Sequence, residues 1–201
     1  MNALVVLTTA ALVLVAELPD KSMFAVLVLG TRFSRVPVMV GAATAFAVHV
    51  VIAVLGGHLL SLLPHRVTAA VVTLLFAGGA VWMFRAHPES DGDLSDEERQ
   101  AEERIGRDHS AVRVAAVTFG FVFIGEWGDI TQLLIANLAA RYDALSVGIG
   151  GVIGLWSAVV LAVTLGAALL RRLPPKLFQR IAAFALAVFA VLSLVSFIRG
   201  R

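Results

Sequence analysis

The chain has 201 residues, is 59% hydrophobic and only 15% charged, and sets 16 lysines and arginines against 14 acids for a net charge of +2. An apolar share well above the roughly 45–50% of soluble domains excludes an ordinary soluble globule, and a surplus of two charges with the bases at segment edges is no nucleic-acid footprint, although the pI is about 9.7 and the mean hydropathy +0.91. With no cysteine, disulfide frameworks, thiolate metal sites and thiol redox chemistry are also excluded.

Six apolar runs approach the roughly 20 residues that a bilayer-spanning helix needs: Ala3–Leu29, Val38–Leu63, Val67–Phe84, Val114–Ala140, Ala144–Leu170 and Leu177–Ile198. In lipid every backbone polar group needs an internal partner, so these runs are read as helices; barrel strands would be shorter and would alternate. The predicted fold is an all-α integral membrane protein with six transmembrane helices. The first run has no basic leader region and carries acids, which makes it a poor cleaved signal peptide.

Run one is 27 residues long and contains Pro19. Proline lacks an N–H, frees the carbonyl of Val15 and disfavours helix at Leu18, so a break beside Glu17 is expected; a plain kink repacked by neighbours is the alternative. Run two carries His49 and His58 among Gly41, Gly56 and Gly57. Glycines allow close helix approach in lipid, and a lone histidine there is more often a packing residue than a metal ligand. Run three ends near Gly78, Gly79 and Trp82, an ordinary place for an interfacial aromatic. Between Arg85 and Arg113 stand nine acids and five arginines. Ser95 with Glu98 forms a capping-box pattern and Glu103 pairs with Arg107 at i, i+4, which predicts a short solvated helix from Ser95 to Ile105. Asp91-Gly92-Asp93 lacks the spacing of an EF-hand loop, so this stretch reads as a solvated linker rather than a cation sensor.

The second half then repeats the first at an offset of 109 residues: Glu17 falls on Glu126, Asp20 on Asp129, Ser22 on Thr131, Arg32-Phe33 on Arg141-Tyr142, Gly41 on Gly150 and Gly57 on Gly166. Three spans per half is an odd number, so the halves are expected to run in opposite senses, as two inverted three-helix repeats. The predicted division is 1–86 for the first repeat, 87–111 for an acidic cytoplasmic linker and 112–201 for the second repeat. Eleven of the 16 basic residues flank the connections on the linker's side and four lie opposite, Lys21 completing the count. The positive-inside rule puts the linker in the cytoplasm and both termini outside a plasma membrane.

The repeated stretches Glu17-Leu18-Pro19-Asp20-Lys21-Ser22 and Glu126-Trp127-Gly128-Asp129-Ile130-Thr131 carry the chemistry. On a continuous helix Glu and Asp at i, i+3 would share a face one turn apart. A charged side chain inside an apolar span costs at least about 2.5–3.5 kcal/mol, so four carboxylates need a reason. Coordinating a hard cation is the simplest, with Ser22, Thr131, Gln132 and carbonyls freed near Pro19, Gly125 and Gly128 as further oxygens. Such a set suits Ca²⁺, Mn²⁺ or Mg²⁺. Like charges held close in a low dielectric cannot all ionise without a cation, so protons and a divalent ion compete for the same groups, as an antiporter requires. Lys21 adds an ammonium able to pair with one carboxylate. Helix-joining ion pairs are the structural alternative, but one pair would serve that purpose.

These motifs, with the run Asn137-Leu138-Ala139-Ala140-Arg141-Tyr142 and the acidic central loop, resemble the E-x-G-D-[KR]-[ST] pattern of the transmembrane protein 165/Gdt family, also called uncharacterised protein family 0016. The first motif is similar to those of bacterial members. Pro19 stands in place of the motif glycine and Ile130 in place of the basic residue. The resemblance implies a six-helix Ca²⁺/Mn²⁺–proton exchanger with Glu17, Asp20, Glu126 and Asp129 as the exchange site. The expected function is therefore Mn²⁺ or Ca²⁺ export across the plasma membrane in exchange for protons. The alternative is an exporter of a small organic cation or basic amino acid. An intramembrane aspartyl hydrolase is disfavoured because the acids come as two symmetric sets without another catalytic constellation, and a purely structural subunit would tolerate loss of any one carboxylate. The expected partners are divalent cations and the lipid bilayer, with no nucleic acid, no resident cofactor and a homo-oligomer left open.

Overall fold

A computed structural model describes residues 1–17, 20–62 and 110–170, together with scattered residues between 64 and 106 and between 187 and 198. Most of the third run of each half, most of the acidic linker with its Ser95 cap, Leu18, Pro19 and the Lys21 side chain lie outside the described residues. Those described form helices and no strand: α1 (Ala3–Glu17), α2 (Lys21–Arg32), α3 (Arg35–Ser61), α4 (Ala111–Gly125), α5 (Ile130–Arg141) and α6 (Ala144–Leu170). The first and fourth runs are thus each divided in two. The α4–α5 pair bends by 72° at its break. Among the described residues, Arg35–Leu60 and Ala144–Thr164 are long and apolar enough to cross a membrane, and α4–α5 makes a third span if taken as one.

The lengths repeat as 15, 12 and 27 residues in each half. So does the packing, but crosswise. Helix α1 lies along α6 while α4 lies along α3; α2 meets α6 while α5 meets α3; and the long helices α3 and α6 touch each other at the centre. The two halves are interlocked, each short helix resting on the other half's long one.

Small residues make this close approach feasible where lipid offers no hydrophobic drive. A Cβ on Gly41 would stand 2.3 Å from the Ala115 carbonyl oxygen, and one on Gly150 would stand 2.6 Å from that of Val6, the repeat-related contact. Gly57 is equally tight against Ala136 O at 2.3 Å, whereas Gly56 faces nothing within 4 Å. Gly57→Ala is therefore expected to push α5 off α3 at a cost of about 1–3 kcal/mol, and Gly56→Ala to leave thermal stability unchanged. Melting of the two purified variants decides this; equal melting temperatures would contradict the α3–α5 contact.

Helix starts follow local chemistry. Ser110 caps α4 by accepting from Arg113 N at 3.4 Å, and Asp143 accepts from Ser146 N at 3.0 Å at the head of α6. The Ser146 hydrogen bonds also hold the exposed Asp143 carboxyl below the ordinary carboxylate range. Pro37 sits in the first turn of α3, where its missing N–H has no intrahelical role.

Candidate metal centre

Glu17 closes α1 and Asp20 opens α2; Glu126 closes α4 and Asp129 opens α5. The Glu–Asp pairs do not share one continuous helix: one helix ends at each glutamate and the next starts just after each aspartate, in keeping with the break expected beside Glu17. The aspartates explain the restart. As N-caps they satisfy amides that have no partner in the first turn: Asp20 accepts from Ser22 N at 3.0 Å, and Asp129 accepts from Gln132 N at 2.8 Å and Thr131 N at 3.0 Å. Matching bonds close both breaks, from Asp20 N to Glu17 O at 3.0 Å and from Asp129 N to Glu126 O at 3.3 Å. In the second break Gly128 takes φ +76°, a left-handed conformation that suits a residue without Cβ.

The crosswise packing brings the two breaks together. One carboxylate oxygen from each of Glu17, Asp20 and Glu126 lies within 4.8 Å of the other two. Asp129 joins Glu17 and Glu126 around a cavity of about 10 Å³, also lined by Thr131, Gln132 and His49 and by the apolar Phe46, Ile135 and Leu155. Ser22 is buried beside it, its Oγ 3.5 Å from where a Cβ on Gly125 would sit. All seven sequence-predicted site residues thus converge on one place, from stretches 109 positions apart.

The electrostatics are unbalanced. Glu17 is 0% exposed and Glu126 2%. Both Glu17 oxygens and Oε1 of Glu126 lack any hydrogen-bond partner among the described residues. Each of the two glutamates also feels the charge of Asp20 and Asp129. Burying carboxylates without partners is costly, and a cation or protons would supply what is missing. An all-oxygen carboxylate and hydroxyl set favours hard divalent ions.

A second layer was not legible along the chain. His49 Nδ1 is 2.9 Å from Gln132 Nε2, and its Nε2 is 3.1 Å from the Phe123 carbonyl oxygen. Gln132 Oε1 accepts from Gly128 N at 2.8 Å, which orients the amide: Gln132 Nε2 donates, His49 Nδ1 accepts, and His49 Nε2–H donates to Phe123 O. Both ring nitrogens are thereby engaged, in keeping with a packing rather than a ligating histidine. The ring also contacts Phe123 and Trp127, at centroid distances of 4.9 and 5.9 Å. His58, by contrast, is exposed on α3. The one sequence signal for this layer is that Gln132 is polar where its repeat partner, Met23, is not.

Against known proteins, the chain matches the family model described as divalent cation/proton antiporter GDT1 over residues 5–91 and 114–200, two segments of equal length displaced by 109 residues. A GDT1-like protein of Synechocystis sp. is 30% identical, the alignment covering 90% of this chain and 92% of that protein. GDT1-like protein 5 of Arabidopsis thaliana is 24% identical, with 92% and 93% covered. Protein PAM71, chloroplastic, also of Arabidopsis, is 28% identical over 93% of this chain, which spans only 55% of that longer protein. No solved structure matches.

Proposed function

The chain belongs to the GDT1 family of divalent cation/proton antiporters, and from that premise we propose that it exports Mn²⁺ or Ca²⁺ across the plasma membrane in exchange for protons, at the four carboxylates of the two helix breaks. The observation that carries this reading is the fully buried Glu17: its two oxygens have no hydrogen-bond partner among the described residues, and one of them lies within 4.8 Å of an Asp20 oxygen and a Glu126 oxygen. Glu17, Asp20, Glu126 and Asp129 supply the charge, while Ser22, Thr131 and Gln132 supply neutral oxygens. The cation and protons then occupy the same oxygens in turn, because neither the fully charged empty cluster nor a cluster holding both is favourable in a low dielectric. A cavity of about 10 Å³, room for about one water-sized group, supports a metal ion over an organic cation or an amino acid as the cargo.

The overall plan in this reading is six spans in two inverted repeats, 1–86 and 112–201, joined by the linker 87–111. The repeated helix lengths and the crosswise packing support it, as does the odd number of runs per half. Alternating access then exposes the midplane site to either side. The direct experiment is flux of Mn²⁺, Ca²⁺ and Mg²⁺ in liposomes against an imposed pH gradient. Cation movement coupled to opposite proton movement is expected; flux indifferent to the gradient would exclude antiport.

The eleven-to-four basic asymmetry motivates a cytoplasmic linker with both termini external. In this cysteine-free chain, Asn2→Cys is expected to react with an impermeant thiol reagent on intact cells and Ser90→Cys only after lysis. The reverse pattern would invert the orientation.

A further inference from the structure

The two helix breaks share their carboxylates but, among the described residues, differ in their support. We propose that His49 is a positioning residue which, through Gln132, latches the second break, so that Glu126 and Asp129 form the fixed half of the site while Glu17 and Asp20 form its adjustable half. The latch is a continuous chain of hydrogen bonds. Gly128 N–H donates to Gln132 Oε1 at 2.8 Å, Gln132 Nε2 donates to His49 Nδ1 at 2.9 Å, and His49 Nε2 donates to Phe123 O at 3.1 Å. It begins in the turn between Glu126 and Asp129 and ends in the last turn of α4, so it spans the break from both sides. Its anchor, His49, is 4% exposed and belongs to α3, an unbroken 27-residue helix.

In the first half the corresponding positions cannot build this chain. The repeat offset of 109 puts Met23 where Gln132 stands and Ala158 where His49 stands. Met23 and Ala158 are both fully buried, and neither side chain offers a hydrogen-bond donor. An ion bound between one latched and one unlatched pair of carboxylates meets two preset ligands and draws the other pair to it. Groups that orient ligands from behind in this way typically change metal affinity about 10–100-fold when removed.

The test uses the full chain in lipid nanodiscs and liposomes, with Mn²⁺ as the transported probe. In His49→Ala, amides of the peptide containing Glu126–Asp129 are expected to exchange for deuterium about fivefold faster or more in metal-free protein, while those of the peptide containing Glu17–Asp20 keep their wild-type rate. The half-saturating Mn²⁺ concentration for exchange is expected to rise about tenfold, with the maximal rate within about twofold of wild type. His49→Gln offers an amide oxygen to Gln132 and an amide N–H to Phe123 O, and is expected to restore both. Gln132→Met copies the first half's residue and removes the same link from the other end; because Gln132 also lines the cavity, it serves in the deuterium arm alone if His49→Ala does not fold, with the same faster exchange expected at Glu126–Asp129 and not at Glu17–Asp20. Unchanged deuterium exchange at Glu126–Asp129, equal acceleration at both breaks, a fall in maximal rate without a change in half-saturation, or failure of His49→Gln to rescue would each overturn the latch. The flux arm rests on the exchange reading above, but the deuterium arm needs no transport and so stands or falls separately from it.

Discussion

Glu17→Gln and Glu126→Gln are each expected to lower pH-driven Mn²⁺ and Ca²⁺ exchange by about 100-fold or more, and the double variant to be no worse than either alone. Glutamine nearly matches glutamate in shape but cannot carry the negative charge that holds a cation or accept the returning proton. The two glutamates occupy repeat-related places at the ends of α1 and α4 and face one another within 4.8 Å. Residues that act as one unit are grossly non-additive, whereas independent contributors would add. Folding is expected to survive, since neither Glu17 oxygen has a hydrogen-bond partner among the described residues and neutralising such a charge removes a cost. Near-normal exchange by either single variant in liposomes would show that the site is not built from both breaks.

Asp129 offers a sharper separation of roles, because it caps α5 and also stands at the cavity. Asparagine caps helices about as well as aspartate, and alanine does not. Asp129→Asn is therefore expected to keep the melting temperature of the wild type and to lose exchange by about tenfold or more. Asp129→Ala is expected to lose exchange and also about 0.5–2 kcal/mol of stability. Melting and flux on the same preparations check both halves. An Asp129→Asn protein that exchanges normally would reduce the aspartate to a cap; one that melts like Asp129→Ala would deny that capping holds the break open.

The glutamates, the aspartates and their pairing across the two halves were legible because the repeat writes each of them twice. The helix break beside Glu17 was legible too, from Pro19, a residue that cannot continue a hydrogen-bond ladder. What the spacing alone left open, most of all in the second copy, which has no proline, was the relation of Glu to Asp. An i, i+3 pattern suggests one face of one helix, but an aspartate followed by amides without partners captures them and starts a new helix. The bonds to Ser22, Thr131 and Gln132 amides record that outcome. The His49–Gln132 contact joins residues 83 positions apart. No local period predicts it, since it depends on how α5 rests on α3, and a single histidine in an apolar run looks the same whether or not it has a partner.

The crosswise arrangement of α1 on α6 also sets a schedule for biogenesis. Helix α1 leaves the ribosome well before its partner, since the surface it rests on starts at Ala144, more than 120 residues later. At about 5–20 residues per second of synthesis, that is a wait of roughly 6–25 s. Throughout it, Glu17 and Asp20 are present in a nascent segment whose companions at the site, Glu126 and Asp129, have not been made. The early helices must therefore be held at the insertion machinery, or sit provisionally in the bilayer, until α6 arrives. A chain truncated before Ala144 would present α1 and α2 without their long partner to the cell's quality control.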